Sequence, residues 1–291
     1  MTTPLEFDHL WDYNDPGATE ALFRQLLTQI PAGSANAAEL MTQIARTQGL
    51  QRHFEEAYVT LDAVEQALQP QWVGATIRYY LERGRVYNSS GHADAARSMF
   101  LDAWNLASSS DGEDVLAIDA AHMMGIVEPP DKQMSWNLRA LAIAESSTIE
   151  NARRWKASLY NNIGWSYHEQ GNFDLALDHF QKALIERQAR QNLPEIRIAK
   201  WCIGRALRSL GKVDEALTLQ QTLLSELTSE GASDGFVYEE IGECLLLKGQ
   251  AAEATPYFKL AYTELAQDSW FVAQEPARLQ RLLILSEEKG N

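Results

Sequence analysis

The sequence has few of the features that mark several large classes of protein. It contains two cysteines and nine prolines in 291 residues, and no apolar run approaches the roughly 20 residues that span a bilayer. Cys202 and Cys244 fall in separate predicted helices, and neither has a Cys or His neighbour at the spacing of a zinc site. We therefore expect a soluble protein with no disulfide framework, no metal centre and no membrane-spanning helix.

Basic residues are also scarce relative to acidic ones. The chain has 25 Lys and Arg against 40 Asp and Glu, and its net charge of −15 divides into −7 for residues 1–76, 0 for 77–210 and −8 for 211–291. Because proteins bind nucleic acids and anionic membranes through Lys and Arg, we expect neither as a partner. The first residues, MTTPLEFDHLWDYNDPG, have no basic or apolar region typical of a secretory signal, which favours a cytoplasmic protein.

Strong catalytic and cofactor motifs are missing as well. The chain has no Gly-rich phosphate loop, no GxSxG, no HExxH and no CxxC. Asp119 and His122 lie three residues apart on one predicted helix face, and with His168 they are the acid and imidazole groups that an enzyme in this chain would use. Such pairs are common as structural hydrogen bonds on helices, and no third catalytic group is evident. We therefore expect no enzymatic activity and no cofactor.

What the sequence does contain is an internal repeat. Six positions recur at intervals of 3, 4, 5, 4 and 3 residues in four segments, 84–103, 161–184, 204–223 and 239–261. In the segment 161–184 these positions are Gly164, Tyr167, Gly171, Ala176, Phe180 and Ala183. The pattern predicts a helical hairpin in which a small residue lets two helices approach and a later Gly ends the first helix in the left-handed conformation. The second helix then presents a small residue, an aromatic and a small residue on one face.

Two further units are weaker. In the first, Ala45 takes the first small position, Leu61 takes the aromatic position and Arg52 replaces the turn glycine. In the third, at about 113–145, Pro129 and Pro130 must lie in the connection between two helices because proline disrupts a helix interior. The sequence therefore predicts six hairpins, two of them degenerate.

This pattern of small, aromatic and glycine positions resembles the tetratricopeptide repeat. The first small position falls at 45, 84, about 121, 164, 204 and 242, and this spacing of about 40 exceeds the roughly 34 residues of the common repeat. It is similar to the longer repeats of kinesin light chains and bacterial peptide-sensing regulators. The resemblance implies an all-α, right-handed solenoid of about six hairpins over residues 36–268, with an N-terminal capping helix and lead-in in 1–35 and a C-terminal capping helix in 269–291.

The resemblance also implies which residues face the inner groove. In this repeat class the first helix of each hairpin lines that groove, at fixed offsets from the small position. Applied to this chain, those offsets select Arg78, Arg85, Asn88, His122, Asn161, Asn162, Trp165, His168, Trp201, Arg205, Arg208 and Glu243.

The selected residues favour recognition of another protein. The long-repeat relatives commonly place Asn at the position of Asn162, where the amide can bond a peptide backbone or, alternatively, neighbouring helices. The arginines suit capture of an acidic segment or a C-terminal carboxylate, but they could equally pair with Glu and Asp of adjacent helices. We therefore predict an adaptor or scaffold that binds a peptide or protein segment, with a ligand-responsive sensor as the alternative. Homodimerisation through the apolar C-terminal helix is possible.

Overall fold

A computed structural model of the chain describes residues 7–287, which form helices and connections with no strand among them. The chain divides between Trp155 and Lys156 into two compact units. Unit 1 has a short 3-10 helix, Asp8–Leu10, and eight α-helices: α1 (Pro16–Leu27), α2 (Ala35–Leu50), α3 (Phe54–Ala67), α4 (Val73–Ser89), α5 (Ala93–Ser108), α6 (Asp114–Val127), α7 (Pro130–Ser146) and α8 (Glu150–Arg153).

Unit 2 continues the same architecture. Its helices are α9 (Lys156–Glu169), α10 (Phe173–Ala189), α11 (Leu193–Ser209), α12 (Val213–Ser229), α13 (Gly235–Leu247), α14 (Ala251–Leu265), α15 (Ser269–Gln274) and α16 (Pro276–Glu287). In each unit, consecutive helices pair as hairpins: α2 with α3, α4 with α5 and α6 with α7, then α9 with α10, α11 with α12 and α13 with α14. The predicted all-α fold of repeated hairpins is confirmed.

The first small position of a repeat is where the two helices of a hairpin meet. A Cβ added at Gly84 would lie 2.4 Å from a ring carbon of Phe100, and one added at Gly164 would lie 2.6 Å from a ring carbon of Phe180. Both phenylalanines are fully buried. Because glycine has no side chain, the first helix leaves room for the phenylalanine ring of the second helix, as the spacing predicts.

Two repeats solve the same contact differently. In the first, Ala45 faces the smaller Leu61, and both are fully buried. In the fifth, Gln220 takes the aromatic position against Gly204, and its Nε2 donates to the carbonyl of Trp201 at 3.2 Å while its Oε1 is buried without a hydrogen-bond partner. Ala with Leu has nearly the combined volume of Gly with Phe, whereas Gly with Gln is smaller and replaces part of the ring with a polar contact.

The predicted left-handed turns after the first helices are also confirmed. Gly91, Gly171, Gly211 and Gly249 have φ values of 90°, 76°, 75° and 76°. Arg52, which replaces the glycine in the first repeat, has φ of 65°. A side chain at such a φ is strained by contact between its Cβ and the following carbonyl oxygen.

We expect Arg52→Gly to stabilise the protein by about 0.5–1 kcal/mol, since the relief of strain exceeds the entropy that glycine adds to the unfolded chain. The reciprocal change, Gly211→Arg, should destabilise it by about 1–2 kcal/mol. Urea unfolding followed by circular dichroism measures both. Stabilisation by both substitutions, or by neither, would contradict the strain argument.

The third hairpin turns at the prolines. Helix α6 ends at Val127 and α7 begins at Pro130, with Pro129 preceding it. Proline suits the first turn of a helix because its missing N–H has no intrahelical acceptor there. The predicted position in the connection is confirmed for Pro129, whereas Pro130 opens α7.

The N-terminal residues of unit 1 pack onto the first helices. Phe7 and Phe23 form an edge-to-face pair at 6.2 Å and are buried with Leu40 and Ile44. Helix α1 begins at Pro16, where the carboxylate of Asp15 accepts from the backbone N–H of Ala18 at 2.9 Å. This packing holds residues 7–15 beside α2 and α4.

At the other end, α16 packs on α14, with Leu282 fully buried. The short helix α15, capped by Asp268, precedes it and was not predicted. Within residues 7–287, no helix has the length and apolar character needed to cross a membrane.

Candidate binding cavity in unit 1

The first helices of the unit 1 hairpins line a cavity of about 650 Å³. Its wall comprises His9, Trp11 and Tyr13 before α1; Gln43 and Arg46 on α2; Arg78, Leu81, Glu82 and Arg85 on α4; Val115, Leu116 and Asp119 on α6; and Asn151, Arg154 and Trp155 at the end of the unit. Two of the predicted groove residues, Arg78 and Arg85, lie in this wall. We call it the unit 1 cavity.

Repeat register explains why these side chains converge. Gln43, Glu82 and Asp119 each stand two residues before the small position of their repeat, and Arg46 and Arg85 each stand one residue after it. Positions three or four residues apart share one helix face, so each first helix presents these groups to the same side.

Arg85 is the centre of an ion network. Its Nη1 donates to Oε1 of Glu82 at 2.5 Å, and its Nη2 donates to both oxygens of Asp119 at 2.5 and 2.6 Å. Glu82 is 2% exposed, and the side chains of Arg85 and Asp119 are 15% and 14% exposed. Burial raises the pKa of Asp119, but the guanidiniums of Arg85 and Arg46 outweigh it, so the pKa lies below its usual value.

The other guanidiniums of the cavity are more accessible. Arg78 contacts Glu39 through its Nε at 3.3 Å and lies over the ring of Phe7, 5.0 Å from its centroid. Arg46 is 3.5 Å from Oε1 of Glu82. Arg154 lies 3.7 Å from Glu150, and its side chain is 61% exposed. The cavity wall therefore carries four guanidiniums and two carboxylates in a chain whose net charge is −15.

Aromatic side chains from the N-terminal residues complete this wall. Trp11 and Tyr13 stack at 4.9 Å, and the guanidinium of Arg46 lies 5.3 Å and 5.4 Å from their ring centroids. The Nε1 of Trp11 donates to Oε1 of Gln43 at 3.2 Å. The sequence analysis missed Trp11, Tyr13, Arg46 and Arg154 as site residues. Arg46 could have been found, because it occupies the same offset in repeat one that selects Arg85 in repeat two.

His122 and Asn88 lie outside the cavity wall. His122 is half-buried against Trp155, with ring centroids 5.4 Å apart, and burial together with Arg85 lowers its pKa although Asp119 opposes this. Asn88 is exposed near the end of α4.

Because the pKa of His122 is lowered in the folded protein, we expect acid to reduce the free energy of unfolding. Since its folded pKa is below the unfolded value, the unfolded chain binds more protons, so the free energy of unfolding falls as the pH drops below about 6.5. We expect His122→Gln to lose less of this free energy between pH 7 and pH 5 than the wild type loses. Chemical unfolding at each pH measures the difference. Parallel curves for the two proteins would contradict the assignment to His122.

In unit 2, the predicted aromatic residues form a continuous contact. Trp165 lies 5.8 Å from Trp201 and 5.3 Å from His168, and Trp201 lies 5.8 Å from Phe236 and donates from Nε1 to its carbonyl at 3.1 Å. The Nε2 of His168 is 2.9 Å from the hydroxyl of Ser209. The side chains of Trp165, His168 and Trp201 are partly buried and contact one another or neighbouring residues.

The charged residues predicted in unit 2 pair with residues of neighbouring helices. Arg205 and Arg208 both donate to the fully buried Glu240, at 2.7 Å each. Glu243 pairs with Arg281. The sequence left open whether these arginines face a ligand or neighbouring helices, and the structure shows the pairing with α13.

The two asparagines of α9 differ in their contacts. The Oδ1 of Asn161 is 3.5 Å from the thiol of Cys202. Asn162 accepts through its backbone carbonyl from the hydroxyl of Ser166 at 3.2 Å, and it has further contacts of its own.

Unit 2 also has an apolar cavity of about 450 Å³. Pro194, Arg197, Ile198, Trp201, Leu227, Asp234 and Phe236 line it. Trp201 is the one predicted groove residue of unit 2 that lies in this wall.

Comparison with known proteins finds a tetratricopeptide repeat in unit 2. The family model for the tetratricopeptide repeat matches residues 157–186. Among curated proteins, outer dynein arm-docking complex subunit 4 of Xenopus laevis is 28% identical over 140 residues, which is 48% of this chain and 26% of that protein. This chain therefore aligns with about a quarter of the curated relative's length.

Solved structures share the fold over most of the chain. The apo form of RapI matches with a TM-score of 0.72 and 14% identity, over 96% of this chain and 78% of that one. A STAND protein of Pyrococcus horikoshii with a tetratricopeptide repeat sensor matches with a TM-score of 0.70 and 13% identity, over 92% of this chain and 41% of that one. A tetratricopeptide repeat protein of Parabacteroides merdae matches at 0.54 and 16% identity, over 97% of both. At these identities the likeness concerns the fold alone.

Proposed function

We propose that the chain, a solenoid of hairpins that resemble tetratricopeptide repeats, is an adaptor that binds a segment of another protein, and that an acidic stretch or C-terminal carboxylate of that segment enters the unit 1 cavity. Stacked helical hairpins offer an extended binding surface, but the fold alone does not select a partner.

The observation that carries this proposal is the group of guanidiniums around the cavity. Four guanidiniums and two carboxylates line it, and Glu39 and Glu150 lie beside Arg78 and Arg154, in a protein with a net charge of −15. The guanidiniums attract an anionic segment to the cavity, and the net negative charge of the whole chain does not favour such a segment elsewhere. Arg78 and Arg154, which contact Glu39 and Glu150, are more exposed than Arg85, and a carboxylate of the segment would bond their remaining N–H groups.

The residues predicted in unit 2 have a different part in this proposal. Trp165 and Trp201 offer aromatic surface, and tryptophan is common among residues that dominate binding energy. Arg205 and Arg208, held by Glu240, order α11 and α13 beside that surface. Asn162 remains a proposed contact to the backbone of the bound segment.

A displayed library of random peptides, selected on the purified chain at low salt, tests the proposal. We expect enrichment of Asp and Glu or of free C-terminal carboxylates. Arg78→Gln with Arg154→Gln should weaken the selected peptides at least tenfold, while Arg139→Gln, an exposed arginine of α7 outside the cavity, should leave affinity unchanged. Circular dichroism checks that each variant is folded. Selected peptides without net negative charge, or equal binding by the double variant, would refute the proposal.

A ligand-responsive sensor is the second candidate, because the unit 1 cavity also has the volume of a small-molecule site. Such sites occupy about 300–1,000 Å³. One structural neighbour contains a tetratricopeptide repeat sensor by its own description. A rise in melting temperature with small carboxylates that Arg78→Gln removes, and no selection of peptides, would favour the sensor over the adaptor.

Recognition accounts for the Asp119 and His122 pair better than catalysis does. Both oxygens of Asp119 accept from Arg85, and its pKa is held low, so this carboxylate is a poor general base. No cluster of three or more metal-ligating side chains occurs in residues 7–287. Homodimerisation stays a prediction, which light scattering at several concentrations would test.

A further inference from the structure

The apolar cavity of unit 2 is formed by one face of α11, together with Leu227 near the end of α12 and Phe236 at the start of α13. Pro194, Ile198 and Trp201 supply the face of α11, because residues three or four positions apart lie on the same side of a helix. Its volume of about 450 Å³ lies within the range of ligand sites, which is about 300–1,000 Å³. We call it the unit 2 cavity.

Two polar side chains of this wall are already engaged within the protein. The Nε1 of Trp201 donates to the carbonyl of Phe236 at 3.1 Å. The guanidinium of Arg197 donates to Oε1 of Glu230 at 2.5 Å. The part of a ligand that enters the cavity therefore meets mainly carbon surface, which favours an apolar group.

Asp234 supplies the carboxylate of the wall. Its Oδ1 caps α13 by accepting from the backbone N–H groups of Phe236 at 2.8 Å and Val237 at 3.4 Å. Its Oδ2 accepts no hydrogen bond from residues 7–287 and, unlike Oε2 of Glu82, is not buried. A cationic group can therefore reach this oxygen without breaking a bond inside the protein.

The charge around Asp234 favours such a cation. Glu264 lies beside it, since a Cβ added at Gly235 would be 3.2 Å from the Cβ of Glu264. Burial raises the pKa of Asp234 and Glu264 adds to this, although the two backbone N–H groups oppose it. The pair of Arg197 with Glu230 is neutral, so the two carboxylates outweigh the charge of about +0.5 at the start of α13.

We propose that the unit 2 cavity binds an aromatic side chain of a protein segment, and that a Lys or Arg next to that residue in the segment pairs with Asp234. The ring packs against Trp201 and Phe236, whose own centroids are 5.8 Å apart. Leu193 and Ile198 are more than half exposed on α11 and extend the apolar surface, which suits a segment better than a small molecule. The site shares with the proposed function the premise that the chain binds a protein segment, but its charge preference is the opposite of that in unit 1.

Three short peptides test the proposal. The first is Ac-Gly-Lys-Trp-Lys-Gly-NH₂ with 5-fluorotryptophan at its centre, the second replaces both Lys by Gln, and the third replaces Trp by Ala. Fluorine NMR of the full chain with each labelled peptide measures affinity, and the Ala peptide is measured by competition. We expect the Lys-Trp-Lys peptide to bind at least about fivefold more tightly than either of the others.

Asp234→Asn separates the charge of Asp234 from its structural role. Asn caps a helix as well as Asp, so the start of α13 is retained. The variant should bind the Lys-Trp-Lys peptide at least about fivefold more weakly and the Gln-Trp-Gln peptide unchanged, because the coupling needs both charges. Asp268→Asn is the matched control, since Asp268 caps α15 through two backbone N–H bonds, at 2.9 and 3.2 Å, outside the cavity. It should leave both affinities unchanged.

Ile198→Ala tests where the ring binds. It should weaken both Trp peptides by the same factor, about threefold or more, because it removes apolar contact and no charge. Ile185→Ala is the control, since Ile185 is an exposed isoleucine of α10 outside the cavity. It should change neither affinity. Circular dichroism checks that each variant is folded.

The outcomes are distinct. Equal affinity for the Lys-Trp-Lys and Lys-Ala-Lys peptides, or equal loss of both Trp peptides in folded Asp234→Asn, would overturn the site. Binding of tryptamine without binding of the peptide would overturn a protein segment as its occupant. If library selection yields no acidic peptide while the Lys-Trp-Lys peptide binds as expected, the proposed function fails and this inference stands. The reverse pair of results leaves the proposed function intact and refutes the inference.

Discussion

Arg85→Leu is expected to lower the free energy of unfolding by about 3–5 kcal/mol, because it strands two buried carboxylates. Arg85 bonds Glu82 and both oxygens of Asp119 at 2.5–2.6 Å, and none of the three side chains is more than 15% exposed. Removal of the guanidinium leaves two negative charges close together in unit 1 with little water. Urea unfolding at pH 7 measures the loss.

The pH dependence of this loss identifies its cause. In the variant, burial is no longer opposed by Arg85 and raises the folded pKa of Asp119 above its unfolded value, so the folded variant binds more protons as the pH falls. The difference from the wild type should therefore shrink between pH 7 and pH 4. A loss that does not depend on pH would point to packing instead of charge.

Arg24→Leu is the matched control for this prediction. Arg24 pairs with Glu20 one helical turn away, and its side chain is 53% exposed. Exposed pairs of this kind contribute about 0.3–0.5 kcal/mol. A similar small effect from Arg85→Leu would show that the ion network is not structural and that Arg85 is available to a ligand.

Gly84→Ala is expected to destabilise the protein by about 1–3 kcal/mol through overpacking. The added Cβ would lie within 3 Å of three ring carbons of Phe100, which is fully buried and cannot turn aside. The better helix propensity of alanine, worth about 1 kcal/mol, offsets part of this cost. Thermal and urea unfolding measure the net effect.

The first repeat supplies the compensating change. There Ala45 faces Leu61, and both are fully buried. Adding Phe100→Leu to Gly84→Ala recreates that pair in the second repeat, so the double variant should be more stable than the sum of the single changes predicts. Gly17→Ala, near the start of α1, where a Cβ meets only ordinary contacts from 3.4 Å, is the control and should be close to neutral. Additive effects of the two changes at Gly84 and Phe100 would contradict direct contact between them.

Much of the fold could be predicted because the contacts that close each hairpin join residues of the same repeat. Gly84 and Phe100 are 16 residues apart, as are Gly164 and Phe180, and the helix period with a short turn brings such positions together in every unit. The same reasoning located the left-handed turn at Arg52 despite its side chain. It did not predict α15, since six residues are too few to establish a period.

The candidate site was less predictable for a physical reason. Repeat offsets place a side chain on the inner face of a helix, but they do not determine which group on another helix will satisfy it. Arg85 and Asp119 are 34 residues apart, and Arg205 and Glu240 are 35 apart. Whether an arginine faces a ligand or a carboxylate therefore depends on the distance between helices and on rotamers that the one-dimensional pattern does not contain.

The sequence by itself determined the repeat, its register and the small-to-large contact within each hairpin, because these follow from helix geometry and residue volume. Only the tertiary structure decided which guanidiniums are engaged, that Trp11 and Tyr13 wall the unit 1 cavity, and that Glu82 has one oxygen satisfied and the other unpaired. Those properties arise from pairings between residues distant in the chain, whose energies depend on burial and on separations of a few tenths of an ångström.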